Sequence, residues 1–419
     1  MSMGRAAVFA ALLALLAPGR GSATTLDEAV ALALNHDPGL RRAEAEQAIA
    51  QARVKEAEAG RLPTVAIEGS AASARTDFGH FFGFGRYDLT PRSAAVSITQ
   101  PLFAGGAITA AIDQARAEDA ASRSEQGATR LNLVADVAEA FVAVRVTEQA
   151  LDLRRAQIAE LTLVRDQAQR RFDDGASPRT DLDQAEARLA GAQADLAAAQ
   201  GALARARARY HSLVGEDPAA LEPVAALPPT PGSLEEATSR AEAANPQVAA
   251  ARSRLGAAGA SVRQAEAERL PTLGLVAQAS TVSDQFLPGY RADGASVGVQ
   301  GRWTLFSGGA ASARIAKARA AERAAGAALD QARAATQEAA IDGWQALQTA
   351  SAVTRASAAQ AKAAEAALYS VRQEVRVGAK PTLDLLNAER EALAAHIGEL
   401  EAHGAEIVAA YRLNAIVGR

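Results

Sequence analysis

The chain of 419 residues is mildly acidic, with a net charge of −4, and it contains no cysteine. The cysteine count excludes disulfide bonds, thiol chemistry and a lipid-modified N-terminal cysteine, and the charge gives no reason to expect nucleic acid as a partner. Alanine is abundant while aromatic residues make up only 4% of the chain. This balance is typical of long helices that pack closely side by side.

The first 23 residues have the order of a cleaved secretory signal. Arg5 precedes an apolar run from Ala6 to Ala17, and the small residues Gly21-Ser22-Ala23 follow. The run is shorter than the roughly 20 residues that a helix needs to cross a bilayer. We therefore predict a signal peptide over residues 1–23 and a mature chain that begins near Thr24, outside the cytoplasm.

The mature chain reads as an internal duplication. TLDEA recurs as SLEEA and RLPT occurs twice, both shifted by 208 residues. Further on, PLFAGG matches TLFSGG and GASPRTDLDQAE matches GAKPTLDLLNAE, both shifted by 203 residues. We predict a first repeat over 24–217, a proline-rich linker over 218–232 and a second repeat over 233–419.

Prolines divide each repeat into helices. Asp37-Pro38 and Asn245-Pro246 each place an N-cap residue before a proline at the first helical position, so a new helix is predicted to begin there. Proline-free stretches predict very long helices over 104–172 and 307–377, each roughly 100 Å long at about 1.5 Å per residue. Helices over 178–213 and 381–416 follow them.

Alternating polar and apolar residues predict strands over 63–74, 93–103, 271–283 and 295–306. In the last of these, one face carries Val297, Val299, Trp303 and Leu305. Such segments fit the strands of outer-membrane barrels, where that face contacts lipid; two ordinary hairpins on a soluble core are the alternative. The connecting loops would be residues 75–92 and 284–294. Four strands cannot close a barrel, so a membrane location requires several copies of the chain.

The signal, the duplication, the LF-x-G-G motifs after each strand pair and the two G-x-x-x-x-x-D-L turns together resemble the TolC family of outer-membrane efflux proteins. The resemblance implies a mainly α fold with a small β part. A homotrimer would form a long helical barrel, and four strands from each protomer would contribute to a 12-stranded outer-membrane barrel.

The same resemblance implies a function. The chain would be a passive exit duct of a tripartite efflux or type I secretion system, located in the outer membrane and extending into the periplasm. Its implied partners are outer-membrane lipid, a periplasmic adaptor (membrane fusion) protein and an inner-membrane RND or ABC transporter. A soluble periplasmic coiled-coil adaptor or scaffold protein is the alternative.

The resemblance also assigns roles to the two turns that would form the periplasmic tips. Asp384 and Asn387 take the positions of two aspartates whose three copies ring the closed end, so the ring would hold half the usual charge. Asp181 lies in the other turn. The residues expected to dock the adaptor or to form latches are Gly175, Gly378, Arg179 and Lys380.

A simpler interpretation stays open for these residues. Asp181 and Asp384 also fit carboxylates at helix starts, where the helix dipole and free backbone N–H groups stabilise negative charge. Gly175 and Gly378 fit the left-handed residue that ends a long helix.

Motifs for catalysis do not occur in the sequence. The histidines show no metal-ligand spacing, and neither a phosphate loop ending in Gly-Lys-Ser/Thr nor a nucleophile elbow is found. The five histidines are His36, His80, His211, His396 and His403. We therefore predict no cofactor, no metal site and no enzymatic activity, so energy for export must come from a partner.

Overall fold

The structure is a computed structural model that describes residues 23–77, 79 and 85–419. The predicted signal peptide lies outside the described residues except for Ala23. Helices dominate the chain, and two of them run for 67 residues each. In chain order they are α1 (Leu26–His36), α2 (Pro38–Ala59), α3 (Ala107–Asp173), α4 (Arg179–Val214), α5 (Leu234–Ala244), α6 (Pro246–Ala267), α7 (Ala310–Arg376) and α8 (Thr382–Ile416).

Six strands lie among the described residues: β1 (Thr64–Ala71), β2 (Ala74–Asp77), β3 (Arg86–Leu89), β4 (Arg92–Phe103), β5 (Thr272–Ser283) and β6 (Arg291–Arg302). Four of them form one antiparallel sheet in the order β1-β4-β5-β6, and β2 pairs with β3 in a separate hairpin. The sheet joins the two repeats, because β4 belongs to the first and β5 to the second.

The described residues divide into two compact units. One, here called the helical unit, lies within Met1–Arg41, Ala128–Asn245 and Thr336–Arg419. The other, here called the sheet unit, comprises the described part of Arg42–Gly127 together with Pro246–Ala335, and it contains the strands. None of the described helices has the length and apolar character that a helix needs to cross a membrane.

Strand pairing reproduces the duplication residue by residue. Thr64 lies opposite Thr99 in the first repeat, and Thr272 lies opposite Arg302 in the second. These are the partners that shifts of 208 and 203 residues connect. The side chain of Thr64 donates to the carbonyl oxygen of Thr99 at 3.3 Å, and that of Thr272 donates to the carbonyl oxygen of Arg302 at 3.4 Å.

A second set of contacts repeats where each strand pair meets its helices. Gln100 Nε2 donates to the carbonyl oxygen of Arg61 at 2.9 Å, and Trp303 Nε1 donates to that of Arg269 at 3.0 Å. Gln and Trp differ in shape, but both present an N–H group at this position. The two repeats therefore share one backbone arrangement despite different side chains.

Three predicted strand boundaries are wrong. The segment predicted over 63–74 ends as β1 at Ala71, and an extra hairpin of β2 and β3 begins at Ala74 and continues into the predicted loop 75–92. The segment predicted over 295–306 is displaced, since β6 begins at Arg291 and ends at Arg302. Alternation marks a residue's face but not the position at which a strand loses its hydrogen-bonding partner.

Paired glycines delay the start of the long helices. Gly105 and Gly106 have φ values of 60° and 88°, and Gly308 and Gly309 have the same two values. These left-handed conformations are incompatible with a helix of L-residues, so α3 and α7 begin three residues later than predicted, at Ala107 and Ala310. At the other ends, Pro178 and Pro381 are the N-cap residues of α4 and α8 rather than their first helical residues.

Small side chains and a few large ones form the core of the helical unit. Phe141 on α3 and Tyr210 on α4 are almost fully buried, with ring centroids 6.5 Å apart. Alanines such as Ala29 and Ala33 are completely buried and allow the helices to approach closely. The linker joins this unit at Leu221, whose carbonyl oxygen accepts a hydrogen bond from Arg145.

Candidate gate at the helical hairpin tips

The first tip is the turn between α3 and α4, and Gly175 sets its geometry. Its φ of 69° is left-handed, and a Cβ atom added there would meet nothing within 4 Å. Its backbone N–H donates to the carbonyl oxygen of Phe172 at 2.9 Å, and the next N–H, of Ala176, donates to that of Arg171 at 2.8 Å. Glycine is therefore required here for backbone conformation and not for space.

The second tip, between α7 and α8, repeats these contacts. Gly378 has a φ of 74° and donates to the carbonyl oxygen of Val375 at 3.1 Å. The N–H of Ala379 donates to the carbonyl oxygen of Glu374 at 2.8 Å. The two tips are thus one motif built twice, as the sequence predicts.

Asp181 and Asp384 occupy the same position in the two short helices. Each lies three residues after the proline N-cap, and each backbone N–H donates to that proline's carbonyl oxygen at 3.1 Å. The first turn of α4 and of α8 carries these carboxylates as its acidic residues, where the helix dipole favours them. This geometry fits carboxylates that stabilise the N-termini of α4 and α8. It is also compatible with a role of the same carboxylates in a gate.

The two tips lie side by side within the helical unit. A small cavity of about 40 Å³ separates them, and both hairpins contribute to its walls. Its lining includes Ser177 and Asp181 from the first tip and Thr382 and Leu385 from the second. Asp181 and the first turn of α8 are therefore close neighbours in one protomer.

The structure gives the predicted latch residues local partners. Arg179 Nε lies 3.6 Å from Asp183 Oδ1 on its own helix, and both side chains are exposed. Lys380 Nζ lies 2.7 Å from Glu374 Oε2, and this hydrogen bond raises the pKa of the Lys380 ammonium. Neither cation bridges the two hairpins in this protomer.

Asn387 makes the contact between hairpins that the sequence does not predict. Its Oδ1 accepts a hydrogen bond of 3.2 Å from Arg188 Nη2 on α4. An arginine thus lies beside the position where the resemblance places a second gate carboxylate. The local electrostatic potential is consequently less negative than an aspartate pair alone would produce.

Glu389 is a second residue that the sequence reasoning missed. It is only 8% exposed, and its Oε1 lies 3.5 Å from Arg372 Nη2. The same Arg372 atom lies 3.9 Å from Glu160 Oε2 on α3, so the arginine joins three helices. Burial raises the pKa of the Glu389 carboxyl, while the charge of Arg372 opposes that rise. A signal existed in the sequence, since Glu389 continues the buried stripe begun by Leu386.

The apolar residues predicted to contact lipid are exposed in the single chain. Val297 is 76% exposed and Val299 is 66% exposed on β6. Trp303 and Leu305 are also exposed, but they lie beyond the end of β6 at Arg302. The predicted face is therefore split between a strand and the segment that follows it.

No group of three or more histidine, cysteine, aspartate or glutamate side chains in the described part of the chain could hold a metal ion. His396 Nε2 lies 3.2 Å from Glu365 Oε2, and His396 Nδ1 lies 3.8 Å from Glu399 Oε2, in polar contacts at the surface of α7 and α8.

The sequence profile described as outer membrane efflux protein matches residues 29–216 and 237–419, which covers both repeats. The chain belongs to the outer membrane efflux protein family. The predicted resemblance and the outer-membrane location are confirmed, and the predicted mainly helical fold with a small sheet is confirmed as well.

Relatives of this outer membrane efflux protein include an efflux protein and a secretion protein. The chain is 30% identical over 332 residues to the outer membrane efflux protein BepC of Brucella suis, covering 79% of this chain and 73% of BepC. It is 28% identical over 321 residues to the alkaline protease secretion protein AprF of Pseudomonas aeruginosa, covering 73% of this chain and 65% of AprF.

Solved structures agree in fold. The outer membrane channel CmeC of Campylobacter jejuni superimposes with a TM-score of 0.83 over 94% of this chain and 85% of CmeC, at 14% identity. At that identity the likeness concerns the fold alone.

Proposed function

We propose that three copies of this outer membrane efflux protein form a passive duct that exports material across the outer membrane. The observation that carries the proposal is the match of the family to both repeats of the chain. The sequence shows no phosphate loop for nucleotide binding. The energy for export therefore comes from an RND or ABC transporter in the inner membrane. A periplasmic adaptor connects the two, in a tripartite efflux or type I secretion system.

The gate of this duct lies at the helical tips. Three copies of Asp384 ring the closed end and attract cations, since a ring of carboxylates lowers the electrostatic potential at a constriction. Asn387 contributes no charge, and Arg188 beside it partly offsets the ring. We therefore expect weaker cation selectivity than a ring of six carboxylates would give. Asp181 occupies the same helix position in the neighbouring tip and adds a second set of charges.

The adaptor docks on the glycine turns. Gly175 and Gly378 have open space around their Cα atoms, so a partner's backbone can approach them closely. Arg179 and Lys380 flank these turns. Each can exchange its present carboxylate partner, Asp183 or Glu374, for an acidic group of the adaptor. Exposed surface ion pairs contribute only about 0–1 kcal/mol, so such an exchange costs little.

The alternative of a soluble periplasmic scaffold lacks a supporting observation. The relatives BepC and AprF are named as an efflux protein and a secretion protein, and the exposed apolar residues of the sheet have no core to cover in the described chain.

Single-channel recording in a planar bilayer tests the duct and its gate. The purified full-length protein should give discrete conductance steps, and Asp384→Ala should lower the preference for cations by about twofold or more. Asp330→Ala removes the same charge from the middle of α7 and serves as the matched control, with no change expected.

The possible results separate the two parts of the proposal. A protein that never conducts would refute the duct. Conductance with unchanged ion preference in Asp384→Ala would keep the duct and remove Asp384 from the gate.

A further inference from the structure

The four-stranded sheet has two open edges that the described residues do not cover. The outer edge of β1 and the outer edge of β6 lack a neighbouring strand within the described part of the chain. Such edges present rows of unpaired backbone N–H and C=O groups, which pair readily with another strand. The pairing within the sheet indicates which strand can bind to each edge.

The sheet contains its own template for closing these edges. By the duplication, β4 is the equivalent of β6, and β5 is the equivalent of β1. The observed joint between β4 and β5 is therefore the joint that β6 would make with β1 of a second copy. In that joint Thr99 lies opposite Val276, and Ser97 lies opposite Gln278.

Applying the two shifts converts each observed pair into a pair between copies. We propose that β6 of one copy pairs antiparallel with β1 of the next, with Arg302 opposite Glu68. The same register places Gln300 opposite Ser70 and Trp303 opposite Ile67. This inference rests on the proposed assembly of several copies and specifies which residues meet.

Charge and polarity agree with this register. Glu68 and Arg302 are both exposed in the single chain and have opposite charges. Opposite charges directly across a strand pair stabilise it, and a one-residue slip would break the match. The apolar residues match as well, because Ile67 and Trp303 are both large, apolar and exposed.

The early end of β6 has a physical reason in this arrangement. β4 extends to Phe103 because its last residues pair with β5, whereas its pairing with β1 stops at Thr99. The equivalent extension in the second repeat, residues 304–306, needs β1 of another copy. Leu305 and Phe306 are 79% and 86% exposed without it. The strand that the alternation predicts up to residue 306 is therefore complete only in the assembly.

Glycine packing gives a further, separate match. A Cβ atom on Gly105 would lie 2.7 Å from Leu270 Cβ, whereas a Cβ on its equivalent Gly308 would meet nothing within 4 Å. The equivalent of Leu270 in the first repeat is Leu62, which is 61% exposed. In the proposed joint, Leu62 of the next copy covers Gly308 as Leu270 covers Gly105.

Disulfide trapping tests the register in a chain that has no native cysteine to interfere. Directly opposite Cα atoms lie about 4.5–5.5 Å apart, within the range for a disulfide. Ser70→Cys with Gln300→Cys should give covalently linked oligomers on a non-reducing gel after mild oxidation in the outer membrane. Ala66→Cys with Gln300→Cys is displaced by four residues on the same face and should stay unlinked.

The duplication supplies a positive control inside one chain. Ser97→Cys with Gln278→Cys is the equivalent pair in the observed joint between β4 and β5, and it should form a disulfide without linking copies. Equal linking by the displaced pair would overturn the register. If the Ser70/Gln300 pair stays unlinked while native mass measurement shows a trimer, the register is wrong and the proposed function stands. A monomer by native mass would refute the assembly itself.

Charge reversal tests the same joint without cysteine. Glu68→Arg or Arg302→Glu alone should raise the dissociation rate of the detergent-solubilised oligomer about tenfold, since the like-charge pair recurs in every joint. The double reversal should return the rate to near that of the wild type. Additive damage in the double variant would refute the pairing.

Discussion

Gly175 and Gly378 adopt the same left-handed conformation in the two tips, and a Cβ atom added to either would meet nothing within 4 Å. Glycine is therefore required at these positions for the left-handed backbone conformation and not for space. Ordinary helical glycines such as Gly191 on α4 have equally open surroundings but a helical backbone. This contrast separates the cost of a left-handed residue from the cost of lost space.

Alanine at the two kinds of glycine should have opposite effects. We expect Gly378→Ala to lower the free energy of unfolding by about 1–2 kcal/mol, because alanine pays the left-handed penalty. Gly191→Ala, the matched control, should raise it by up to about 1 kcal/mol through lower backbone entropy in the unfolded chain. Chemical denaturation in detergent measures both. Equal destabilisation by the two variants would contradict the conformational explanation.

The Glu389 carboxyl titrates in a buried site beside Arg372. Burial raises its pKa above the ordinary value of 4.5, so the folded protein holds this proton at a higher pH than the unfolded chain does. The stability that the protonated group contributes is complete below pH 4.5 and is lost as the pH rises through the raised folded pKa.

Glu389→Gln should remove this pH dependence, since glutamine does not titrate. We expect the unfolding free energy of the wild type to fall relative to that of the variant as the pH rises from below 4.5 toward neutral. Thermal unfolding of both proteins across this range gives the difference. Glu391→Gln, which removes an exposed carboxylate two residues further along the same helix, is the control. A difference that does not change with pH would show that Glu389 does not titrate as described.

At the scale of elements, close helix packing depends on small residues at particular points. A Cβ atom added to Gly404 of α8 would lie 2.8 Å from Val142 Cγ1 and 3.0 Å from Val146 Cγ2, both on α3. Valine side chains are branched at Cβ and have little freedom to move away. Gly404 thus sets how closely α8 approaches α3.

Gly404→Ala should therefore destabilise the protein although alanine favours a helix. We expect a loss of about 1–3 kcal/mol in the free energy of unfolding from overpacking, less any gain in helix propensity. Gly398→Ala on the same helix meets nothing within 4 Å and should be neutral or stabilising. The pair can be compared by denaturant unfolding, and a stabilising Gly404→Ala would contradict the packing geometry.

Ion pairs between helices also follow the duplication. Arg116 pairs with Glu58 at 2.7 Å, and Arg319 pairs with Glu266 at 2.6 Å, each at the start of a long helix. All four side chains are largely exposed, so each pair contributes about 0–1 kcal/mol and orients the helices more than it stabilises them.

For the whole molecule, local signals predicted the elements well. Pro178 and Pro381 mark the tips, and the repeated motifs define two halves whose strand registers correspond residue by residue. Contacts between distant segments were not predictable in this way. The hydrogen bond from Arg188 to Asn387 joins residues 199 positions apart, and no periodicity within either helix specifies such a partner.

The end of β6 shows a different limit. Alternation through Trp303 and Leu305 predicts a strand up to residue 306, but a strand also needs a backbone partner, which one copy of the chain does not provide beyond Arg302. The alternation within one strand determines which side chains share a face, whereas the hydrogen-bonding partners of that strand lie on another strand.

The matched registers also preserve a record of descent. Between β1 and β4 the shift between the halves changes from 208 to 203 residues, so the connection in the first half is longer. Every strand pair has kept its alignment through that divergence, while the connection has changed length. The pairing of residues across the strands is thus the same in the two halves, whereas the length of the connection differs. Insertions and deletions in other family members should accumulate at that connection.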